Sequence, residues 1–253
     1  MKISVITVCY NSADTIADTL RSVASQIHPA VEDIIVDGGS TDGTVELIRS
    51  GGAHIAWWCS ERDRGIYDAM NKGLEHATGE VVDFLNADDV YVDGRVLERI
   101  AAVMADPELD ACYANLYYVD REHDDKVRRV WRSGAYEPNL CLRRWMPAHP
   151  TFYARRGLYG RFGGFDTQFR LQADFDLTTR FFELHHIRAR YVPEFWVRMR
   201  IGGHSNVSWK NVVHGNLKAY RSCRKNGLRV PPWFIARKVL SRVGQFVRRM
   251  PVS

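Results

Sequence analysis

Three runs of β-branched and aliphatic residues, ISVITVC at 3–9, DIIVD at 33–37 and VVDFL at 81–85, each stop abruptly at polar or acidic residues. The segments between them have a different period. Ile16, Leu20, Val23 and Ile27 recur at helical spacing, with Asn11 or Ser12 placed to cap the helix. GGSTDGTVELIRS supplies a Gly-rich turn and a second helix, and a short strand around 54–58 leads to a helix from about Ile66 to His76. Strands alternating with helices over short loops predict βαβ units, hence an α/β fold with a mainly parallel sheet and helices on both faces. A chain of 253 residues can build one such domain with an appendage.

The second half reads differently. ACYANLYYVD and KVRRVWRS predict an antiparallel pair around the polar turn REHDD. PTFYARR, HIRARYV and FWVRMR predict further strands, with a helix over residues 175–185. From Ser205 onward the pattern is helical, broken near Pro231-Pro232.

Charge is divided unevenly along the chain. Residues 1–194 carry 22 basic against 30 acidic residues, whereas the remainder carries 13 basic residues and no acidic one. In the tail, Ile235, Val239, Val243, Phe246 and Met250 fall on one helical arc, opposite Arg237, Lys238, Arg242, Arg248 and Arg249. That pattern predicts a helix lying on an anionic membrane surface; a helix packed on the domain with a solvated basic face is the plainer alternative. Nucleic acid is not the expected partner, because a phosphate backbone offers the apolar arc nothing to bury against. Five scattered cysteines without CxxC spacing predict reduced thiols and a cytoplasmic protein. No signal peptide and no membrane span are expected, since MKISVITVCY runs directly into a strand pattern and no apolar run approaches about 20 residues.

The acidic residues carry the chemistry. In parallel α/β sheets, ligands bind where the loops leave the carboxyl ends of the strands. Tyr10 and Asn11 follow the first strand, Asp37 ends the second, Asp63 precedes the third helix, and Asp88-Asp89 follow VVDFLNA. Any one of these could cap a helix, but their convergence on one rim points to a site. Adjacent carboxylates repel and are costly to dehydrate unless a cation or donors compensate. Mg²⁺ or Mn²⁺ suits them, since such ions bridge a few carboxylate oxygens to a substrate diphosphate. No GxGxxG follows the first strand and no P-loop occurs anywhere.

TVCYNS, DIIVDGGSTDGT, SERDRGIYDAMNKGLEHATGE and FLNADD, in that order, resemble the nucleotide-binding half of family-2 glycosyltransferases. The resemblance covers about residues 3–95 strongly. It continues through AHPTFYARRGLYGRFGGFD and LQADFDLTTRFF to GGHSN, which are similar to bacterial enzymes of cell-surface polysaccharide and glycolipid synthesis. It implies the GT-A fold and inverting, metal-dependent transfer from a nucleotide-diphosphate sugar to a lipid-linked or glycan acceptor at the inner face of the cell membrane. The implied layout is a domain over 1–204, with a nucleotide half at 1–95 and an acceptor half at 96–204, then a basic extension at 205–253.

Roles follow from the resemblance position by position. Asp37 would accept a hydrogen bond from the base, usually uracil, and Thr7, Val8 and Tyr10 would line the base and ribose pocket, with Asn11 beside them. Asp63, Arg64 and Gly65 would lie near base and phosphates, Asn71 and Lys72 near the donor, and Asp88 on the ribose or sugar side. Asp89 would bind the metal. Asp174 in ADFDL matches the catalytic carboxylate, with Asp176 two residues on as the alternative; an N-cap is the plain reading of Asp174. His149 would contact acceptor or phosphates, and His204 would be an extra metal or diphosphate ligand, although a structural histidine is the plain reading of the first.

Trp57-Trp58, Phe181-Phe182 and Met199 read as core. Asp83, a carboxyl inside a strand that should be buried, has no role in this reading. A sugar-nucleotide nucleotidyltransferase would need a Gly-rich loop and a basic residue after the first strand, and CYNSADT has neither. A non-catalytic membrane or nucleic-acid module would keep the fold without turnover.

Overall fold

The structure, a computed structural model, describes residues 1–52, 54–143, 145–202 and 220–228. The alternation read from the sequence appears as β1 (Ile3–Cys9), α1 (Ile16–Ala24), β2 (Val31–Asp37), α2 (Thr44–Ser50), β3 (Ile55–Ser60), α3 (Ile66–His76) and β4 (Val81–Asn86). β1 lies between β2 and β4, parallel to both, and β2 pairs in parallel with β3. There follow β5 (Asp89–Tyr91), α4 (Val96–Met104), β6 (Ala111–Val119), β7 (Val127–Trp131), β8 (Tyr153–Arg155), α5 (Arg156–Phe162), α6 (Ala173–Thr179) and β9 (Ala189–Arg200). Among the described residues these nine strands form one sheet, in the order β3-β2-β1-β4-β8-β6-β9-β5, with β7 paired to β6.

The fold is α/β, with helices on both faces. Beyond β4 the sheet becomes mixed, because β8 runs antiparallel to β4 and β6, and β5 antiparallel to β9. Alternating side chains divide the core between the faces. Ile6, Val8, Ile34, Val36 and Phe84 pack with α3, α5 and α6. Ile3, Val5, Val81 and Leu85 pack with α4 and with Val23 of α1, while Cys9 and Ile35 meet α1 and α2.

Local readings need correction in four places. The first helix ends at Ala24, so Ile27 is 58% exposed rather than part of the buried stripe; residues 26–27 instead bond the 93–94 turn. Neither Asn11 nor Ser12 caps that helix with its side chain, and Asn11 adopts a left-handed φ of 48°. HIRARYV and FWVRMR belong to one strand, β9, whose pairing with β6 shifts around Pro193, a residue that cannot donate to a ladder. Finally, Gln172, at a φ of 84°, stands before α6, so Asp174 lies in the first helical turn and is not the cap.

His204 and the basic segment 229–253, with its apolar arc, lie outside the described residues. Among the described residues no helix is long and apolar enough to cross a membrane. None of the five cysteines forms a disulfide, and four of them are buried.

Candidate active site

The loops after β1, β2 and β4 form one rim, and hydrogen bonds assemble it. The turn after β2 braces the loop after β1: the Asn11 amide donates to Ser40 Oγ (2.7 Å), Thr41 N to Asn11 Oδ1 (3.0 Å), and Ala13 N to Asp42 Oδ2 (3.1 Å). Asp37 is completely buried beneath this turn. Its Oδ2 accepts from Gly39 N (3.0 Å), Ser40 N (2.9 Å) and Ser60 Oγ (2.6 Å), and its Oδ1 from the hydroxyl of Ser40 and from Cys9 Sγ (3.5 Å). Burial pushes this carboxyl up, but the hydrogen bonds from Ser40 and Ser60 outweigh it and hold the group below the usual carboxylate range. Asp37 therefore builds the turn after β2.

Thr7 and Val8 lie inside β1 and are buried, whereas Tyr10, 62% exposed, and Asn11 face outward from the loop that follows. Asp63 closes over the end of β2. A Cβ on Gly38 would come within 2.6 Å of Asp63 Oδ2 and 3.4 Å of Tyr10 Cδ2, so the missing side chain is what lets these two side chains meet there. Asp63 Oδ1 also accepts from Gly65 N (2.7 Å), where a φ of 125° starts α3.

Arg64, Lys72 and Asn71 have partners within the protein. Arg64 forks onto Asp68 Oδ1 at 3.2 and 2.7 Å, and Lys72 pairs with Glu61 (2.8 Å). Asn71 bonds both backbone groups of Phe165, donating to its carbonyl (2.8 Å) and accepting from its amide (2.9 Å). Asn71 thus docks α3 against the 164–165 loop.

The FLNADD turn places its two carboxylates at different depths. Asp89 has no exposed surface, whereas Asp88 is half-buried. Asp89 Oδ2 accepts from Asn86 Nδ2 (3.0 Å), but its Oδ1 is buried without a hydrogen-bond partner. Burial, and then the charge of Asp88, push the Asp89 carboxyl well above its ordinary range. A cation at this turn would relieve both the unpartnered oxygen and the repulsion, so the residues fit a divalent ion. Among the described residues, no group of three or more His, Cys, Asp or Glu could hold an ion by itself, so a diphosphate would have to complete the coordination.

α6 brings the last carboxylates. Asp174 is half-buried, and its Oδ1 accepts from Tyr67 Oη (3.1 Å) and from Phe175 N (2.8 Å). His149 packs near Phe84 and Phe165, with ring centroids 6.0 and 5.7 Å away, and both its ring nitrogens are buried without hydrogen-bond partners. Burial pushes its imidazole below the ordinary value, opposed by the charge of Asp174. Asp176 faces elsewhere. Its Oδ2 pairs with Arg180 Nε (2.9 Å), and its Oδ1 accepts from Ser222 Oγ (2.5 Å), which is buried, and from the half-buried Asn226 Nδ2 (2.9 Å).

Tyr67 and Arg180 are the residues that sequence reasoning missed. Tyr67 stands in the quoted motif RGIYDAMNKG, yet nothing local marks its partner 107 positions away. Arg180 reads as an ordinary helix-surface charge, whereas it ties α6 to the carbonyls of Phe162 (2.5 Å) and Gly164 (2.5 Å).

Residues 4–172 match the family model for glycosyl transferase family 2. A PGL/p-HBAD biosynthesis glycosyltransferase of Mycobacterium tuberculosis is 31% identical over 196 residues, which are 75% of this chain and 73% of that one. The structure of Staphylococcus aureus TarS 1-349 in complex with UDP is similar at a TM-score of 0.65 and 20% identity, over 88% of this chain and 65% of that one. The mannosyltransferase PcManGT from Pyrobaculum calidifontis, in complex with GDP-Man and Mn²⁺, is similar at a TM-score of 0.65 and 24% identity, over 93% and 67%. This chain spans 39% of a longer TarS crystal structure. At these identities the likeness to solved structures establishes the fold, which is that of the GT-A glycosyltransferases.

Proposed function

Because this chain belongs to glycosyl transferase family 2, we propose that its rim transfers a sugar, with inversion, from a nucleotide-diphosphate donor to a hydroxyl of a lipid-linked or cell-surface glycan. A UDP-sugar is the donor to try first, since TarS 1-349 is described in complex with UDP and with UDP-GlcNAc. The nucleotide would lie over residues 1–95 and the acceptor against residues 96–204. Tyr10, Asp63 and Gly65 would receive the nucleotide, and Asp37 would hold the 38–40 turn beneath it.

The observation that carries this reading is the contact between Tyr67 and Asp174. It sets a half-buried carboxylate from the second half of the domain beside the loop that follows β3, next to the buried imidazole of His149. The hydrogen bonds from Tyr67 and Phe175 to the Asp174 carboxylate both fall on Oδ1, and Oδ2 would take the proton of the acceptor hydroxyl. The acceptor oxygen would form its bond to the anomeric carbon as the bond from that carbon to the diphosphate oxygen breaks on the opposite side. Asp176, held by Arg180, Ser222 and Asn226, would anchor α6 and take no proton.

A divalent ion, Mg²⁺ or Mn²⁺, would supply positive charge against the leaving diphosphate. Asp88, the more accessible carboxylate, would present the binding oxygen, with Asp89 behind it; this exchanges the roles that sequence alone suggests. The basic, amphipathic pattern of residues 235–250 supports a membrane-surface location, where a lipid-linked acceptor would be at hand.

The experiment is incubation with a panel of UDP- and GDP-sugars, with Mn²⁺ or with excess chelator, scored for nucleotide release and for transfer to extracted membrane lipids. We expect release from one donor that chelator abolishes. Full activity in chelator contradicts the cation, and no release from any donor contradicts the activity.

A further inference from the structure

Asp83 sits in the middle of β4, aligned with Val5 of β1, and has no exposed surface. An aliphatic side chain would serve the core better, because a buried carboxyl must find hydrogen-bond partners. Its partners are hydroxyls from two other strands. Tyr91 Oη donates to Asp83 Oδ2 (3.4 Å), and Tyr153 Oη donates to Tyr91 Oη (2.9 Å). Burial pushes the Asp83 carboxyl up to about 8, so it sits there neutral, although its Oδ1, like that of Asp89, is buried without a hydrogen-bond partner.

These three side chains flank the carboxylate turn. Asp83 precedes it on β4, and Tyr91 closes β5, two residues beyond Asp89. β5 hydrogen-bonds to β9 at the far end of the sheet, so no ladder ties it to β4. Two side-chain hydrogen bonds join the strands across the turn: Asn86 to Asp89 at its mouth, and Tyr91 to Asp83 at its base.

We propose that Asp83 is a positioning residue for the Asp88–Asp89 turn, acting through Tyr91 and Tyr153 to fix where β5 leaves β4 and thereby the depth at which the two carboxylates are held. This rests on the reading of that pair as the cation and diphosphate site. A group that orients ligands from behind changes metal affinity more than it changes the fold. The base and ribose contacts, which come from the loops after β1 and β3, do not depend on it.

The test is calorimetric binding of UDP, and of GDP, with and without Mn²⁺, to the full-length protein. In Asp83→Leu we expect the Mn²⁺-dependent gain in nucleotide affinity to fall about tenfold or more, while affinity without metal is unchanged. Asp83→Asn keeps an acceptor for the Tyr91 hydroxyl and should recover most of the gain. Tyr91→Phe, which removes a single oxygen, should lose it as Asp83→Leu does, and it supplies the comparison if the leucine variant does not fold. If wild-type protein shows no Mn²⁺-dependent gain with either nucleotide, the reading of Asp88–Asp89 fails. If wild type shows the gain and Asp83→Leu or Tyr91→Phe keeps it, or if Asp83→Asn and Asp83→Leu behave alike, the positioning role is wrong.

Discussion

The hydroxyl of Tyr67, in the first turn of α3, donates to Asp174 Oδ1 at 3.1 Å across 107 residues of sequence. The contact joins α3 to α6 and occupies Oδ1 of Asp174. Burial and the negative charge of Asp174 push the Tyr67 phenol well above its ordinary value, so it remains a donor at any working pH.

Tyr67→Phe removes that donor and leaves the ring packed against Phe165, 5.4 Å away between centroids. We expect kcat to fall about tenfold, with the KM for the donor sugar little changed, because a loosened base costs rate rather than nucleotide binding. Steady-state kinetics on the responding donor checks this. A KM effect with kcat intact contradicts it.

Asp176→Ala should affect the fold. The substitution leaves Arg180, whose side chain is 12% exposed, without its carboxylate, and frees Ser222 and Asn226. Removing one partner of a buried pair costs about 3–5 kcal/mol. Urea unfolding should show that loss, while turnover per folded molecule stays near wild type at low temperature.

Asp33 and Asp83 should each contribute stability that falls as pH rises from acid to neutral, against the opposite contribution of the buried His149 imidazole. Burial pushes Asp33 up to about 7 and Asp83 up to about 8, both above their unfolded values. Both groups are therefore neutral in the folded chain while the unfolded chain ionises near pH 4, so their contribution is complete below that pH and is lost as pH rises through 7 and 8. Val5 separates them in register, Tyr91 and Tyr153 face Asp83, and His54 Nε2 stands 3.5 Å from Asp33. Each contributes at most about 1.4 kcal/mol per pH unit to the slope. Unfolding free energies measured between pH 5 and 8 should flatten in Asp33→Asn and again in Asp83→Asn; unchanged slopes contradict the assignment.

The first half of the fold was legible because its signals are local. β1, β2 and β4 are short apolar runs buried on both faces, and α3 begins after the Asp-Arg-Gly turn where the motif places it. The site was legible as a set of strand-end acids and illegible in its division of labour, because that division depends on depth. Sequence spacing does not show that Asp37 spends its oxygens on Ser40 and Ser60, or that Asp89 sinks below Asp88. It also does not show that Asn71 clasps Phe165 across 94 positions, and the local Asp37–Ser40 turn and the depths of Asp88 and Asp89 depend on how the chain is buried. β5 was missed for a related reason: three residues paired to a strand more than a hundred positions away leave no periodic trace.

Vesicle binding should depend on the tail. Full-length protein should float with anionic liposomes, and both truncation before Pro232 and Val243→Glu should weaken that. Basic residues near an anionic surface contribute on the order of 1 kcal/mol each, and the apolar arc adds its burial. Equal flotation of the truncated protein contradicts surface anchoring by this segment.

The most direct measurement of the central claim is the split between binding and chemistry in Asp174→Asn. With the responding donor and Mn²⁺, calorimetry should give UDP affinity near that of wild type, while turnover falls by about 10²–10⁴-fold, as expected for loss of a general base. An Asp174→Asn enzyme that turns over at the wild-type rate would contradict the account, most sharply if Asp176→Asn were folded, bound UDP and were inactive.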